Sequence, residues 1–352
     1  MTLSEPIRIF IVDDSAFIRH TVAKYLEEDG DIKVIGMARD GLEALDHIPA
    51  LKPDVVILDV EMPRLDGLAA LRRIMAECPT PVVMLSAFTQ RGARTTIQAL
   101  MRGALDFVAK PDSTISIHTI IDELKDKIKA AAQTRLTTLE TPPLVSTGTP
   151  PKQGPQLLQK RDPLIVIGAS TGGPRALQQV LFNLPANLPA AILAVQHMPP
   201  NFTRSLAQRL NETCALTVQE AAEGDRLARG LVLLAPGDFH LRFKGPRQVT
   251  LDQGPRRLHV RPAVDVTMES AAEYHGSNLI GVVLTGMGTD GTDGARMIRA
   301  AGGLVIAEHE STSVVYGMPA SVIKAGLADK VVPLPKIAAT LLDLIKNGRP
   351  GI

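Results

Sequence analysis

The sequence VVILDVEMPRLDGL, residues 55–68, contains a run of apolar residues that stops at Asp59 and leads into an amphipathic stretch. A short, continuous apolar run is typical of a strand covered on both faces, as strands in parallel sheets are. The stretch therefore predicts a βα unit whose buried strand ends on a carboxylate.

Four similar units accompany it between Ile7 and about Ala132, where short apolar runs alternate with amphipathic stretches. The predicted strands are Ile7–Asp13, Lys33–Ala38, Asp54–Asp59, Pro81–Ala87 and Asp106–Ala109, with helices between them and a last helix from about Ile117 to Ala132. This alternation predicts five βα units around one parallel sheet.

Polar residues stand at the carboxyl ends of four of these strands, where ligands of open parallel sheets bind. They are Asp13 and Asp14 after the first strand, Asp59 after the third, Ser86 after the fourth and Lys110 after the fifth. Three crowded carboxylates imply a divalent cation such as Mg²⁺. Asp59 could then attack a phosphoryl group, with Ser86 and Lys110 contacting its oxygens. Each residue alone could be a turn former or a helix cap, but their combination favours a phosphoryl site.

Residues 133–161 are rich in Thr, Pro, Gln and Gly and lack apolar periodicity, which indicates a linker. Beyond it the predicted buried strands are Leu164–Gly168, Ala191–Gln196, Leu231–Ala235, Leu279–Leu284 and Leu304–Ala307, and alternation over Phe239–Asp252 indicates a β-hairpin. The 352 residues are too many for one ordinary core. We therefore expect one domain over residues 1–132 and a second over residues 162–352, which is α/β, doubly wound and mainly parallel with a β-hairpin insertion.

The second half opens with IGASTGGP, residues 167–174, which combines a strand end, a glycine turn and a helix start. This arrangement exposes the Ser170 hydroxyl beside helix-end amides that can stabilise an oxyanion. The string also fits G-x-S-x-G, the pattern of a nucleophile elbow, although a phosphate-cradling loop competes with that interpretation.

A serine nucleophile needs a base and an acid that orients it. His197 ends the second predicted strand and is the candidate base, although a histidine there could also be structural. The glycine-rich loop after Leu284 contains Asp290 and Asp293, of which one could orient the histidine and the other could cap a helix.

Several other classes of protein are disfavoured by the sequence. It contains no G-x-x-x-x-G-K-[ST] motif, and no G-x-G-x-x-G motif follows the first strand, which argues against nucleotide binding. The order Ser, His, Asp differs from the Ser, Asp, His order of α/β-hydrolases.

Composition limits the partners and the compartment. Lys and Arg total 38 against 37 Asp and Glu, so no overall charge attracts nucleic acid or anionic lipid. No signal peptide and no apolar run of about 18 residues is present, so we expect a cytoplasmic location without membrane insertion. The two cysteines, Cys78 and Cys214, are expected to be reduced thiols.

The strings IVDDS, VVILDVEMPRLDGL, MLSAF and DFVAKP together resemble the receiver domain of two-component response regulators. The resemblance implies a flavodoxin-like (βα)5 fold in which Asp59 accepts a phosphoryl group from a histidine kinase. It also implies a set of further site residues. These are Asp13 and Asp14 as the metal-binding acidic pair, Glu61 as a backbone carbonyl ligand of Mg²⁺, Ser86 and Lys110 as phosphoryl contacts, and Phe107 as the aromatic whose rotamer follows phosphorylation.

The strings IGASTGGP, QHMPPNFTRSLAQRL, LAPGDFHL and VVLTGMGTDG resemble the catalytic domain of chemotaxis protein-glutamate methylesterases. The resemblance implies that Ser170 is the nucleophile, His197 the general base and Asp290 the orienting acid. Thr171 and Met287 match positions that line the site, and the Met287 amide would help to form the oxyanion hole. No cofactor is implied for the ester reaction.

The two resemblances together imply hydrolysis of glutamate γ-methyl esters on the cytoplasmic domains of chemoreceptors, with release of methanol. Some members of the family also deamidate receptor glutamines. Phosphorylation of Asp59 is expected to relieve inhibition of the esterase by the receiver. The alternative is a non-catalytic response regulator that binds a receptor or another partner. A DNA-binding output is disfavoured because the second half lacks a small helical domain with a basic recognition helix.

Overall fold

The protein is described here from a computed structural model. The structure describes residues 5–110, 118, 120–134, 156–159 and 161–347. The chain divides into two compact units, Met1–Thr141 and Pro142–Ile352. Most of the predicted linker, residues 133–161, lies outside the described residues.

The first unit is a five-stranded parallel sheet with helices between the strands, as the sequence predicts. Its elements are β1 (Ile7–Val12), α1 (Ala16–Glu27), β2 (Ile32–Ala38), α2 (Gly41–Leu51), β3 (Val55–Asp59), α3 (Gly67–Glu77), β4 (Val82–Ala87), α4 (Gln90–Met101), β5 (Asp106–Lys110) and α5 (Ile121–Ala132). The strand order is β2-β1-β3-β4-β5, so the order reverses between β1 and β3. Asp13 and Asp59 therefore lie at the switch point, where such sheets bind ligands.

Helix α3 begins directly against the end of β3. The Asp66 side chain caps this helix by accepting a hydrogen bond of 2.8 Å from the Ala69 amide. A Cβ at Gly67 would lie 2.0 Å from the carbonyl oxygen of Asp59, so only glycine permits this approach. The contact fixes the backbone that carries the Asp59 carboxylate.

The second unit is built on a seven-stranded sheet with the order β16-β15-β14-β7-β8-β11-β9, in which every described pairing is parallel. Its elements are β6 (Gln156–Leu157), β7 (Leu164–Ala169), α6 (Gly173–Phe182), β8 (Ala191–Gln196), α7 (Phe202–Thr213), β9 (Thr217–Glu220), β10 (Ala228–Arg229), β11 (Leu231–Leu234), β12 (His240–Phe243), β13 (Val249–Asp252), α8 (Val264–His275), a 3₁₀ turn (Gly276–Asn278), β14 (Leu279–Val283), α9 (Thr292–Ala300), β15 (Leu304–Glu308), α10 (Met318–Lys324), β16 (Lys330–Val332) and α11 (Leu334–Asn347). The fold class predicted for this half is confirmed, and β12 and β13 form the expected antiparallel hairpin.

Four short strands, β6, β9, β10 and β16, lie outside the predicted set. β9 and β16 are the edge strands of the large sheet, and their partly exposed, short sequences lack the continuous apolar run of the inner strands. β6 falls within residues 133–161 and pairs antiparallel with β10. This pairing makes Gln156–Leu157 part of the second unit rather than of a linker.

The inner strands of this sheet are fully buried, and helix α8 packs closely against them. Every residue of β7 and β8 is buried. A Cβ at Gly168 would lie 2.3 Å from Val264 Cγ1, so glycine allows the start of α8 to approach the end of β7. Among the described helices, none combines the length and apolar character needed to cross a bilayer.

Candidate active site and acidic pocket

The first unit gathers three carboxylates at the carboxyl end of its sheet. Ligand oxygens of Asp13, Asp14 and Asp59 all lie within 4.8 Å of one another, and only Asp14 is exposed. Lys110 Nζ lies 2.7 Å from an oxygen of Asp13 and 2.7 Å from an oxygen of Asp59. One cation therefore faces three acidic groups.

This shortage of positive charge changes the acidity of Asp59. Burial raises the pKa of its carboxyl to about 6, and the charge of Asp13 adds to the rise, while Lys110 and a hydrogen bond from the Glu61 backbone oppose it. Burial lowers the pKa of Lys110, but the charges of Asp59 and Asp13 outweigh burial, and the pKa of Lys110 is raised. A further cation would therefore stabilise the ionised pocket.

Ser86 and Glu61, two of the other predicted residues, differ in the group that each presents at this pocket. The Ser86 hydroxyl is buried at the end of β4 and accepts a hydrogen bond of 2.7 Å from Thr96 Oγ1. The Glu61 side chain is exposed, so its backbone is the part that contacts Asp59. Arg19, which the sequence analysis missed, donates a hydrogen bond of 2.6 Å to the carbonyl oxygen of Asp13.

In the second unit Ser170 and His197 follow two adjacent parallel strands at the same level. Ala169 pairs with Gln196 at the ends of β7 and β8, so the next residue of each strand lies beside the other. The His197 amide continues the ladder by donating a hydrogen bond of 3.1 Å to the carbonyl oxygen of Ala169. On the other side, the Ser170 amide donates to the carbonyl oxygen of Thr285, 3.0 Å away, beyond the end of β14.

The turn after Ser170 requires both of its glycines. Gly172 has φ of +77°, a left-handed conformation that glycine adopts without strain. A Cβ at Gly173 would lie 2.0 Å from Gln196 Oε1. The Gln196 side chain in turn donates a hydrogen bond of 2.9 Å to the carbonyl oxygen of Ser170, which ties the turn to β8.

His197 and Asp290 are in direct contact. His197 Nε2 lies 2.7 Å from Asp290 Oδ2, and the Asp290 side chain is buried. The Val264 amide donates to the same oxygen at 2.6 Å, and the amides of Asp265 and Gly291 donate to Oδ1 at 2.9 and 3.0 Å. Burial raises the pKa of Asp290, but the hydrogen bond and charge of His197 and the backbone donors outweigh it, and the pKa is lowered.

The competing acid, Asp293, points elsewhere. Its Oδ2 lies 3.0 Å from Arg257 Nη2 and its Oδ1 lies 3.5 Å from Arg296 Nη1. The side chain is 60% exposed, in contrast to the buried Asp290. The structure therefore brings Asp290, and not Asp293, to the histidine.

The remaining predicted residues, Thr171 and Met287, lie next to Ser170 in the sequence and in the loop beyond β14, respectively. Within the described part of the chain, Ser170 Oγ makes no hydrogen bond. Thr171 is buried, and its carbonyl oxygen accepts a hydrogen bond of 2.9 Å from Thr285 Oγ1. Met287 is 41% exposed in the loop beyond β14.

Two buried carboxyl groups near this site were missed by the sequence analysis. Glu308 ends β15, and its Oε2 accepts a hydrogen bond of 2.8 Å from the Thr285 amide. Burial raises the pKa of Glu308 to about 7. Its position after an apolar run was a usable signal, whereas nothing in the sequence marked Asp265, whose contacts with Gly291 and Gly294 cross between elements.

A serine beside a histidine–aspartate contact, at the ends of adjacent strands, defines a serine hydrolase site of the α/β class, and the acidic pocket defines a receiver domain. Comparison with known families agrees with both parts. Residues 165–341 match the family described as "CheB methylesterase", and residues 9–122 match the "Response regulator receiver domain". The chain belongs to the CheB methylesterase family and carries a response regulator receiver domain.

Relatives match almost the whole chain. A protein of Symbiobacterium thermophilum named "Protein-glutamate methylesterase/protein-glutamine glutaminase" is 49% identical, covering 98% of this chain and 99% of the relative. A protein of the same name from Thermotoga maritima is 48% identical, covering 96% and 98%. The crystal structure of the Thermotoga maritima CheB methylesterase catalytic domain superposes with a TM-score of 0.51 and 52% identity, covering 52% of this chain and 98% of that domain. The chain is therefore an enzyme of the methylesterase class, and the non-catalytic alternative is not supported.

Proposed function

We propose that this chain hydrolyses the γ-methyl esters of glutamates on the cytoplasmic domains of chemoreceptors and that phosphorylation of Asp59 regulates the reaction. The contact of 2.7 Å between His197 Nε2 and Asp290 Oδ2, beside Ser170, carries the proposal. The names of the full-length relatives support a methylated glutamate of a protein as the chemical class of the substrate. Such a substrate places the reaction in the cytoplasm.

The reaction proceeds through an acyl-enzyme on Ser170. Because Nε2 of His197 faces Asp290, Nδ1 is the ring nitrogen available to the serine. His197 takes the proton of the Ser170 hydroxyl as its oxygen attacks the ester carbonyl, and returns that proton to the methoxide, which leaves as methanol. A water molecule then attacks the acyl-enzyme, again with His197 as base, and restores the glutamate carboxylate.

Backbone amides would stabilise the oxyanion that forms in both steps. Helix α6 begins at Gly173, just after the nucleophile, so its first amides and positive dipole end lie near the reacting carbonyl. The Met287 amide is a second candidate donor. A glutamine side chain would form the same acyl-enzyme with loss of ammonia, so this site could also deamidate receptor glutamines.

In the receiver, Asp59 accepts the phosphoryl group from a histidine kinase. The clustered oxygens of Asp13, Asp14 and Asp59 suit a hard divalent cation, which prefers carboxylate ligands, and the Glu61 carbonyl would complete the set. Bound Mg²⁺ would offset the negative charge of the pocket and of the phosphoryl group. Lys110 and Ser86 would hold the phosphoryl oxygens at the ends of β5 and β4.

The proposal is tested by methanol release from methylated chemoreceptor. Ser170→Ala should lower the rate by a factor on the order of 10⁴ or more, because it removes the nucleophile. Ser205→Ala, a serine whose hydroxyl donates to the Asn201 carbonyl within helix α7, is the matched control and should retain activity. Wild-type rates from Ser170→Ala would overturn the proposal.

A further inference from the structure

Asp265 and Asp290 are joined by hydrogen bonds that run in both directions between two helix starts. Asp290 stands just before α9 and accepts from the amides of Val264 and Asp265, which begin α8. Asp265 Oδ1 accepts from the amides of Gly291 and Gly294, at the start of α9, at 2.9 and 2.7 Å. The Asp290 carboxylate therefore caps the start of α8, where Asp265 lies, and the Asp265 carboxylate caps the start of α9, which follows Asp290.

From this reciprocal capping we infer that Asp265 is a positioning residue for the esterase reaction, which holds the Asp290 carboxylate in place against His197. The inference rests on the proposed role of Asp290. It goes beyond that role because Asp265 contacts neither the nucleophile nor the histidine within the described residues.

The geometry leaves Asp290 little freedom while Asp265 is in place. Each Asp290 oxygen has two donors, His197 and Val264 on Oδ2, and Asp265 and Gly291 on Oδ1. Gly288, Gly291 and Gly294 lie close to Asp290 in the sequence, and glycine restricts the backbone less than any other residue. Hydrogen bonds to the Asp265 side chain fix this segment at two amides.

Charge is the second part of the inference. Asp265 is 1% exposed, and its Oδ2 lies 3.8 Å from Arg257 Nε. Arg257 also pairs with Glu269 and Asp293, so its charge is shared among three carboxylates. Arg257 and Asp290 are the charged groups that face Asp265 directly. Glu269 and Asp293 act through Arg257, and His197 acts through Asp290.

This setting couples the protonation of Asp265 to that of the histidine. Burial and the charge of Asp290 raise the pKa of Asp265 to about 7. When Asp265 loses its proton, a second negative charge next to Asp290 favours the imidazolium form of His197.

Two variants of the full chain separate the positioning and the charge. Asp265→Asn keeps an acceptor oxygen for Gly291 and Gly294 but removes the charge. Its kcat plateau should fall by no more than about threefold, and the acidic limb of its pH profile should move to lower pH by about half a unit or more. Asp265→Ala loses the acceptor and should lower kcat about 10- to 100-fold with little change in KM.

The matched control is Asp252→Asn. Asp252 also accepts a backbone amide, that of Gly254 at 2.7 Å, and pairs with Arg242, but it lies in the β12–β13 hairpin. This variant should keep the wild-type kcat and pH profile.

The imidazole pKa of His197, followed by NMR in full-length protein with His197→Gln used for assignment, is a readout independent of ester hydrolysis. It should fall in Asp265→Asn and stay unchanged in Asp252→Asn. Wild-type kcat in a folded Asp265→Ala would overturn the positioning role, and an unchanged His197 pKa and pH profile in Asp265→Asn would overturn the charge coupling, even if Asp265→Ala fails to fold. Failure of the proposed function would instead show as full activity of Ser170→Ala.

Discussion

Asp59 in the first unit and Asp290 in the second are both buried aspartates beyond the carboxyl end of a buried parallel strand. Their acidities nevertheless move in opposite directions. Burial raises the pKa of Asp59 to about 6, because Lys110 is shared with Asp13. The pKa of Asp290 is lowered because His197 and three backbone amides donate to it.

The difference shows that donors, and not burial, decide what a strand-end carboxylate can do. A carboxylate whose four acceptor positions are filled is held in one orientation and can orient a histidine. A carboxylate among other acids keeps an oxygen for a cation or an electrophile. The two units therefore place the same residue type at the same place in the sheet for opposite purposes.

The largest expected effect on the contrast between the two aspartates comes from replacing the Asp290 carboxylate with an amide. Asp290→Asn should lower kcat for methanol release by a factor on the order of 10³, because an amide cannot accept from both His197 and three backbone N–H groups. Steady-state kinetics on methylated receptor would measure the change. Asp293→Asn is the control and should remain within about threefold of wild type. Similar losses in both variants would contradict the contrast.

Glu308 lies between the two extremes, because it is buried and, among the described residues, accepts from two neutral donors, the Thr285 amide and the Thr312 hydroxyl. Its pKa in the folded state, about 7, exceeds the ordinary value of 4.5. The protonated form is therefore favoured by folding, and this stability is present below pH 4.5 and lost as the pH rises through 7.

Relative to Glu308→Gln, the wild type should therefore lose about 3 kcal/mol of unfolding free energy between pH 4.5 and pH 8. Urea unfolding at both pH values would measure this change. Glu310→Gln, at an exposed neighbour, should leave the pH dependence as in the wild type. A wild type and Glu308→Gln with parallel pH profiles would show that Glu308 remains ionised in the fold.

The glycines beside the two sites should respond unequally to a methyl group. At Gly67 the Cβ would meet the backbone carbonyl of Asp59, whereas at Gly173 it would meet the side chain of Gln196. Backbone yields less readily than a side chain, so Gly67→Ala should cost about 2–3 kcal/mol and Gly173→Ala about 1 kcal/mol less. Denaturant unfolding of both variants would test the order, and equal costs would contradict it.

The smallest expected effect is regulatory. A small-molecule phosphodonor with Mg²⁺ should raise the methanol release of the wild type several-fold and leave Asp59→Asn at its basal rate. Asp54→Asn is the control and should still respond. Asp54 lies just before β3, and its side chain accepts a hydrogen bond from the Arg8 amide. Stimulation of Asp59→Asn would place the phosphoryl group on another residue.

Much of this arrangement was predictable because buried parallel strands are continuous apolar runs, and their ends identify the polar residues that face the ligand edge. Asp13, Asp59, Ser170 and His197 all follow from such ends. The choice between Asp290 and Asp293 did not, because the two are close in sequence. In the structure Asp293 lies in α9 beside Arg257, whereas Asp290 precedes the helix and contacts His197.

Other features could not be predicted for a related reason. The short edge strands β9 and β16 carry polar or exposed residues and therefore lack a buried-strand pattern. The roles of Asp265 and Glu308 depend on amides 23 to 29 residues away in the sequence. Contacts of this kind form when the elements pack together, and they produce no periodic pattern in the sequence.

The register between β7 and β8 has a consequence for how the esterase could be lost. Ser170 and His197 lie side by side because Ala169 pairs with Gln196. Inserting or deleting one residue within β8 would turn His197 to the opposite face of the sheet, since side chains alternate along a strand. The register of the hydrogen bonds between β7 and β8 thus aligns the two residues. A chain that kept every site residue but shifted this register by one position would be inactive.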